Sequence, residues 1–278
     1  MAIRMIGVDL DGTLFNSRKQ LTAHTRQILE RAIAGGIVIV PATGRPRSSL
    51  PAAPADMGGI RYTIVPNGAA VYDLEEDRCI YEKYMDREAS AELLRRTRGL
   101  QTVQGAFVGP WGYMEEIDRK RIEQLSLVEE MKQYLRSSRK VVEDLPAFVL
   151  GEARGPQKLV LMFLKDREGR PIDSEEAIRI TGEYAQFSFV SGGVGNIEIM
   201  DSAVGKGTAL LELGRQLGIE REEIMAIGDS ENDMDMICKA GLGVAMANGE
   251  EIVRRRADVL TGSNDEDGAA AAIEQYAL

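Results

Sequence analysis

A single histidine and only two cysteines in 278 residues remove several kinds of chemistry before any motif is sought. His24 falls in the stretch TAHTRQILERAIAGG, where a helix would leave it exposed, so acid–base chemistry here has to run on carboxylates. Cys79 and Cys238 stand far apart, with no CxxC spacing and no framework of pairs, and read as two unrelated thiols. Long apolar runs are missing too. No stretch approaches the length of a membrane span. The N-terminal MAIRMIGVDLDGT is interrupted at once by Asp9, which reads as neither a signal peptide nor a membrane helix; the expectation is a cytoplasmic protein. Basic residues are in deficit, 34 against 44 acidic, and the resulting net charge of −10 repels nucleic acid and anionic membranes. What remains is an ordinary globular composition, 44% apolar and 28% charged, long enough for one large or two modest domains.

The order of elements favours two domains. Residues 3–8 (IRMIGV) predict a short buried strand that ends in acids. A helix follows, capped by Thr22 and ended by Gly35 and Gly36, with Ile28, Leu29, Ala32 and Ile33 at helical spacing. IVIVPATGR gives a second buried strand and, after the Pro- and Gly-rich stretch 51–59, YTIVPNGAAVY gives a third. Strand–helix–strand alternation of this kind argues for a parallel sheet with helices on its faces. After about residue 82 the rhythm changes to charged amphipathic helices at 86–98 and 119–137 with short strands at 160–163 and 187–200. That pattern predicts an α+β layer with an antiparallel sheet open on one side. From residue 206 the α/β rhythm returns: helix 207–217, strand EIMAIGD, helix 232–239, strand LGVAM and helix 248–256. One domain interrupted by another accounts for this order.

Asp9 and Asp11 alternate on an extended chain, so both carboxylates face one side while Leu10 faces the other. The Gly-Thr that follows suits a sharp turn whose amides face an anion. The run G228-D229-S230-E231-N232-D233 again places carboxylates at the end of a predicted buried strand. Convergence of Asp9, Asp11, Asp229 and Asp233 would raise their pKa values, and a hard divalent cation such as Mg²⁺ resolves that conflict with oxygen-only ligands. Thr43, Gly44 and Arg45 end the second strand as natural phosphate ligands, and Asn67 and Gly68 end the third. Lys206, between two glycines at a helix start, is placed to neutralise both a phosphate and a carboxylate. This GKGT is not a Walker loop, because the GxxxxGK spacing fails at Asp201.

Together these residues resemble the haloacid dehalogenase superfamily of phosphohydrolases. DLDGT, ATGR, the GKG lysine and GDSENDMDM look like its four motifs in order, and AGLGVAMANGEEIVRRRADVLTGSNDEDG is similar to its Cof-like branch with a large C2-type (type IIB) cap. The resemblance implies a Rossmann-like doubly wound parallel-sheet core, 1–83 and 189–278, with an inserted α+β cap domain, 84–188. It implies a Mg²⁺-dependent phosphatase acting on a small phosphorylated metabolite, a sugar phosphate or similar, as a monomer or homodimer. Asp9 would be the nucleophile that forms an aspartyl-phosphate, and Asp11 the acid and then the base. Thr43, Gly44 and Lys206 would hold the phosphoryl oxygens. Asp9, the main-chain carbonyl of Asp11, and Asp229 would hold the metal, with Asn232 and Asp233 positioning that shell.

Such caps close over the site and contact the leaving group. Trp111, Tyr113 and Arg154 are candidates for that contact, and Arg45, Asn67, Gly68 and Asn264 for contacts with substrate from the core. Two positions depart from the family pattern: Pro41, before the ATGR run, and Asn248-Gly249 where Asn-Ala is usual. A phosphotransferase or mutase of the same superfamily fits the same motifs, and a non-catalytic phospho-ligand-binding regulator is the reading from another class.

Overall fold

The computed structural model describes residues 2–52, 57–191 and 195–278. Residues 53–56 of the Pro- and Gly-rich stretch, and Gly192 at the end of FSFVSG, therefore lie outside the described residues. The chain divides into two compact units, one of Met1–Arg45, Leu50–Glu82 and Val204–Leu278, the other of Pro46–Ser49 and Lys83–Ala203. Among the described residues no helix is long and apolar enough to cross a membrane.

In the first unit β1 (Met5–Val8) is buried at every position, as an apolar run at the centre of a parallel sheet must be. The helix Ala23–Ala34 is capped by Thr22, whose hydroxyl accepts from the Thr25 amide at 3.0 Å. β2 (Val38–Pro41) pairs parallel with β1, with Pro41 opposite Val8. Pro41 thus ends a strand at the sheet edge, where a missing amide donor costs little.

The run YTIVPNGAAVY is two strands, not one. Asn67 and Gly68 take positive φ, which Asn and Gly tolerate, and fold the run into β3 (Tyr62–Val65) and β4 (Ala70–Asp73). With β5 (Arg78–Glu82) they form a three-stranded antiparallel sheet, tied to the end of β2 by one parallel bridge, Ala42 to Ile64.

The second unit carries β6 (Thr102–Val108), β7 (Trp111–Glu115), β8 (Arg139–Val142), β9 (Lys158–Phe163), β10 (Phe187–Ser191) and β11 (Asn196–Asp201). They form one six-stranded sheet in the order β10-β11-β9-β6-β7-β8, antiparallel except at β7–β8. Because β10 and β11 hydrogen-bond into this sheet, the return to the first unit falls at Val204 rather than at residue 189. The helices Arg87–Thr97, Leu145–Gly151 and Ser174–Thr181 pack Leu93, Leu94, Leu145, Val149 and Ile180 on one face.

The other face is not simply open. Ile122, Leu125 and Leu135 pack on Val103, Val160 and Met162 there. The segment expected as one helix over 119–137 is Glu116–Arg121, a 3₁₀ turn Ile122–Gln124, and a separate helix Glu129–Ser137.

Back in the first unit come the helix Lys206–Leu217, β12 (Ile224–Gly228), the helix Met234–Lys239, β13 (Leu242–Ala245), a short Glu251–Arg254 helix, β14 (Val259–Leu260) and the helix Gly268–Tyr276. The completed sheet is parallel, in the order β14-β13-β12-β1-β2. Ile6 and Val8 pack with Ile28, Leu29 and Ile273 on one face, and Met5 with Leu210, Leu213 and Met236 on the other. Helices thus cover both faces: the core is a Rossmann-like, doubly wound sheet. Gly7 belongs to that packing, since a methyl group there would lie 2.5 Å from a Leu210 methyl carbon.

Candidate active site

The central strands β1 and β12 run side by side and end together, Val8 beside Ile227, so the acids that follow each strand emerge at the same edge. The Asp9 amide donates to the Ile227 carbonyl at 3.0 Å and prolongs the ladder by one residue. Leu10 is fully buried in the core, so the two acids flanking it are turned toward the strand ends. Asp9, Asp229 and Asp233 each bring a carboxylate oxygen to within 4.8 Å of the others. This is the carboxyl edge of an open α/β sheet, where such folds bind ligands.

Glycines make the approach possible. Gly12 has φ +91°, and a methyl group there would lie 2.5 Å from Asp229 Oδ2. A methyl group on Gly228 would meet Asp233 Cβ at 2.4 Å.

Lys206 is fully buried, and its Nζ lies 2.6 Å from both Asp9 Oδ1 and Asp233 Oδ1. Among the described residues this ammonium contacts two of the three converging carboxylates, so negative charge is in surplus. Burial, and then Asp233, push the Asp9 carboxyl well above its usual range, and the Lys206 charge only partly offsets them. Burial and Asp233 likewise raise Asp229 to about 6, against the Thr13 hydroxyl that donates to its Oδ1 at 2.8 Å. Burial disfavours the Lys206 charge, but Asp233 and Asp9 outweigh it and raise its pKa, so the lysine stays an ammonium. An oxygen-only donor set with too little positive charge fits a hard divalent cation.

Asp233 has a further task. Its Oδ2 accepts from the amides of Asp229 and Ser230, at 2.9 and 3.0 Å, and so shapes the loop that carries Asp229. Asn232 donates to Asn67 Oδ1 at 3.3 Å and meets Ser230 through its own Oδ1 at 2.8 Å. Thr43 is buried, with its hydroxyl accepting from the Arg45 amide at 3.2 Å, and its carbonyl accepts from the Asn67 amide at 2.9 Å. Gly44, between Thr43 and Arg45, belongs to the same turn. A methyl group on Gly68 would fall 2.1 Å from the Gly205 carbonyl oxygen, so that turn packs directly against the entry to the Lys206 helix.

Asp11 departs from the expected four-carboxylate convergence. Its side chain is taken by Arg45, through Nε–Oδ2 and Nη2–Oδ1 bonds of 2.9 Å each, and by Lys19 Nζ at 2.9 Å. Burial pushes its carboxyl up, but the Arg45 and Lys19 contacts outweigh burial and hold it below the usual range. Asn264 binds the Phe15 carbonyl at 2.9 Å, bracing the turn after DLDGT from behind. In the second unit Trp111 is 39% exposed, with Lys140 Nζ 3.9 Å from its ring centroid. Tyr113 packs on Phe148 at a 4.3 Å centroid separation, and Arg154 donates to the Tyr84 hydroxyl at 2.6 Å.

Four further residues have specific tasks that their positions in the sequence do not announce. Thr13 lies inside DLDGT and orients Asp229. Asp235, inside GDSENDMDM, accepts from the Thr208 amide at 2.9 Å and so supplies the cap that Gly205 cannot. Asn248 donates to the Gly12 carbonyl at 2.8 Å, so the loop that departs from the family pattern does reach the acidic turn. Lys19 reaches Asp11 from a left-handed backbone position, φ 59°, which no spacing announces.

The family model for haloacid dehalogenase-like hydrolase matches residues 6–273. The chain is 31% identical over 288 residues to the phosphatase YwpJ of Bacillus subtilis, covering 96% of this chain and 98% of that protein. It is 29% identical to the B. subtilis 5-amino-6-(5-phospho-D-ribitylamino)uracil phosphatase YwtE, covering 98% of each. A solved haloacid dehalogenase-like hydrolase from B. subtilis superposes with a TM-score of 0.83 at 27% identity, covering 99% of this chain and all of that one. TM0651 from Thermotoga maritima superposes at 0.76 with 28% identity, covering 98% and 97%. The chain belongs to the haloacid dehalogenase-like hydrolases, as a phosphatase of the Cof-like, capped (type IIB) branch that hydrolyses a small phosphorylated metabolite through an aspartate nucleophile.

Proposed function

We propose that Asp9 is that nucleophile, in a Mg²⁺-dependent phosphatase whose substrate is a phosphate monoester of a small sugar or polyol. The observation that carries this is the buried Asp9–Lys206–Asp233 contact beside Asp229: a carboxylate poised at a strand end, with one ammonium and a deficit of positive charge. An Asp9 oxygen forms a bond to phosphorus as the bond to the leaving alcohol breaks, and Asp11 gives that alcohol a proton. Water then forms the new bond to phosphorus, Asp11 takes its proton, and the Asp9–phosphorus bond breaks. Arg45 and Lys19 hold Asp11 as the carboxylate that the second step needs. The first step needs the same group protonated, so those contacts loosen when the ester binds.

Lys206 and the Thr43 hydroxyl, with the Gly44 amide, hold the phosphoryl oxygens. Asp9, the Asp11 carbonyl and Asp229 are the residues that would hold Mg²⁺, which when bound neutralises charge on the transferred group. Asp233 and Asn232 keep Asp229 and Lys206 in place. Relatives named as 5-amino-6-(5-phospho-D-ribitylamino)uracil phosphatases support a phosphorylated polyol or sugar as the substrate class.

The test is release of inorganic phosphate from p-nitrophenyl phosphate and from a panel of sugar and polyol phosphates, with and without Mg²⁺. The wild-type protein should turn over only with the metal, and Asp9→Asn should lose at least about 10⁴-fold in kcat. Tight binding of an ester without hydrolysis would overturn the reading.

A further inference from the structure

The second unit holds a row of residues that the phosphatase chemistry of the first unit does not use. Lys158 on β9 lies opposite Phe107 on β6, Phe107 opposite Gly112 on β7, and Gly112 opposite Arg139 on β8. Four neighbouring strands therefore place these residues in one line, on one face of the sheet. Gly112 leaves the gap through which Arg139 reaches: a methyl group there would lie 3.0 Å from Arg139 Cγ. A methyl group on Gly105, two residues before Phe107 on β6, would lie 3.5 Å from Arg139 Nε, so the guanidinium packs along this face of the sheet.

Both cations close on the same ring. Lys158 Nζ lies 4.7 Å and Arg139 Cζ 5.5 Å from the Phe107 centroid. Lys158 is almost fully buried and pairs with Glu198 at 2.9 Å. Arg139 makes no ion pair among the described residues. Its Nη1 donates to the Ser138 hydroxyl at 3.1 Å and the Leu135 carbonyl at 3.5 Å, while its Nε is buried with no acceptor among the described residues. Burial lowers the Arg139 pKa, and neither Tyr134 nor Glu198 nearby restores it. Among the described residues Arg139 has no carboxylate of its own, which leaves its charge in a partly desolvated place, an arrangement that is costly unless an anion completes it.

We propose that Arg139 and Lys158, over the Phe107 ring, form an anion-binding site on the second unit that takes a planar or tetrahedral oxyanion, a carboxylate or a phosphate group. The Arg139 fork offers Nε to such a group, which is the geometry in which arginine binds these ions in two-point fashion. Phe107 forms an apolar wall that keeps water from the charges.

The site has a built-in reporter. Trp111, the sole tryptophan, precedes Gly112 on β7, so tryptophan fluorescence reads this unit alone. In Mg²⁺-free buffer the protein is titrated with malonate and, separately, with inorganic phosphate. A saturable change with either ion is expected, and the ion giving the lower Kd identifies the source chemistry. Arg139→Gln should weaken it at least ten-fold, Arg139→Lys should weaken it less, and Asp9→Asn should leave it intact.

Thermal shift of the wild-type protein by the same ions gives a second reading that needs no variant to fold. Absence of any saturable response to both ions in the wild-type protein, or an equal response in Arg139→Gln, overturns the proposal. So does loss of the response in Asp9→Asn, which would place the binding in the first unit.

Discussion

In the first unit three carboxylates, Asp9, Asp229 and Asp233, converge and two of them, Asp9 and Asp233, share the Lys206 ammonium, whereas in the second two cations, Arg139 and Lys158, close on one ring and Lys158 pairs with Glu198. Among the described residues each of these two clusters holds charge of one sign in excess, and the signs are opposite. Buried charge that the protein does not neutralise internally has to be neutralised by something bound, or it costs stability. On the proposals above, the first cluster takes a cation beside the phosphoryl group and the second takes an anion. The difference lies in what supports each cluster. Around Lys206 the backbone itself is committed: amides of Asp229 and Ser230 hold Asp233, and glycines at 12, 68 and 228 make room. Around Arg139, among the described residues, two hydrogen bonds, to Ser138 and Leu135, fix the side chain.

The most drastic way to break this contrast is to remove the one ammonium. Lys206→Met leaves Asp9 and Asp233 facing each other, and should cost about 3–5 kcal/mol of stability together with at least a hundred-fold in kcat. Chemical denaturation and phosphate-release kinetics would measure both. Added Mg²⁺ should recover part of the stability and little of the rate. Equal stability of variant and wild type without metal would show that Lys206 does not hold the carboxylates together.

Gly68→Ala probes the supporting backbone rather than the charge. With φ +98° and a methyl group 2.1 Å from the Gly205 carbonyl oxygen, it should destabilise by roughly 2–4 kcal/mol and displace the start of the Lys206 helix. A variant with wild-type melting temperature and turnover would mean that the turn is free to move.

Asp118 sharpens the comparison from the other side, being a buried carboxylate in the cationic unit. Its carboxyl is pushed up to about 6 by burial, against the Gln104 amide that donates to it at 3.0 Å. The folded chain therefore holds a proton that the unfolded chain releases near pH 4. Stability from this group is present below about pH 4 and is lost as pH rises through about 6, by of the order of 2–3 kcal/mol. Asp118→Asn should flatten the fall in melting temperature between pH 4.5 and 7.5. An unchanged slope would show that the group titrates normally.

Much of the first unit was legible in the sequence because its elements answer to simple periods. Fully buried strands read as apolar runs, Thr22 reads as a cap, and acids after β1 and β12 mark the edge where a parallel sheet works. The apolar run YTIVPNGAAVY reads as one strand, whereas Asn67-Gly68 ends β3 and turns the chain back into β4, because Asn-Gly between apolar runs is also a hairpin signal. The second unit was less legible. Its return point was set by the pairing of β10 and β11, a non-local fact, and its charged row Lys158–Phe107–Gly112–Arg139 comes from four separate strands. Register across a sheet cannot be read from one strand at a time. In the same way the hold of Arg45 and Lys19 on Asp11 depends on a left-handed turn at Lys19, and Asp235 caps a helix from 27 residues away.

On the proposed function, Asp9, the carboxylate with too little positive charge around it, carries the phosphoryl group during turnover. Rapid quenching of a single turnover, followed by borohydride reduction and peptide mass mapping, tests it directly. The account predicts a reduced residue at position 9 alone, formed only when Mg²⁺ and a phosphate ester are present. Reduction at Asp11 or Asp229, or at no residue while phosphate is released, would contradict it.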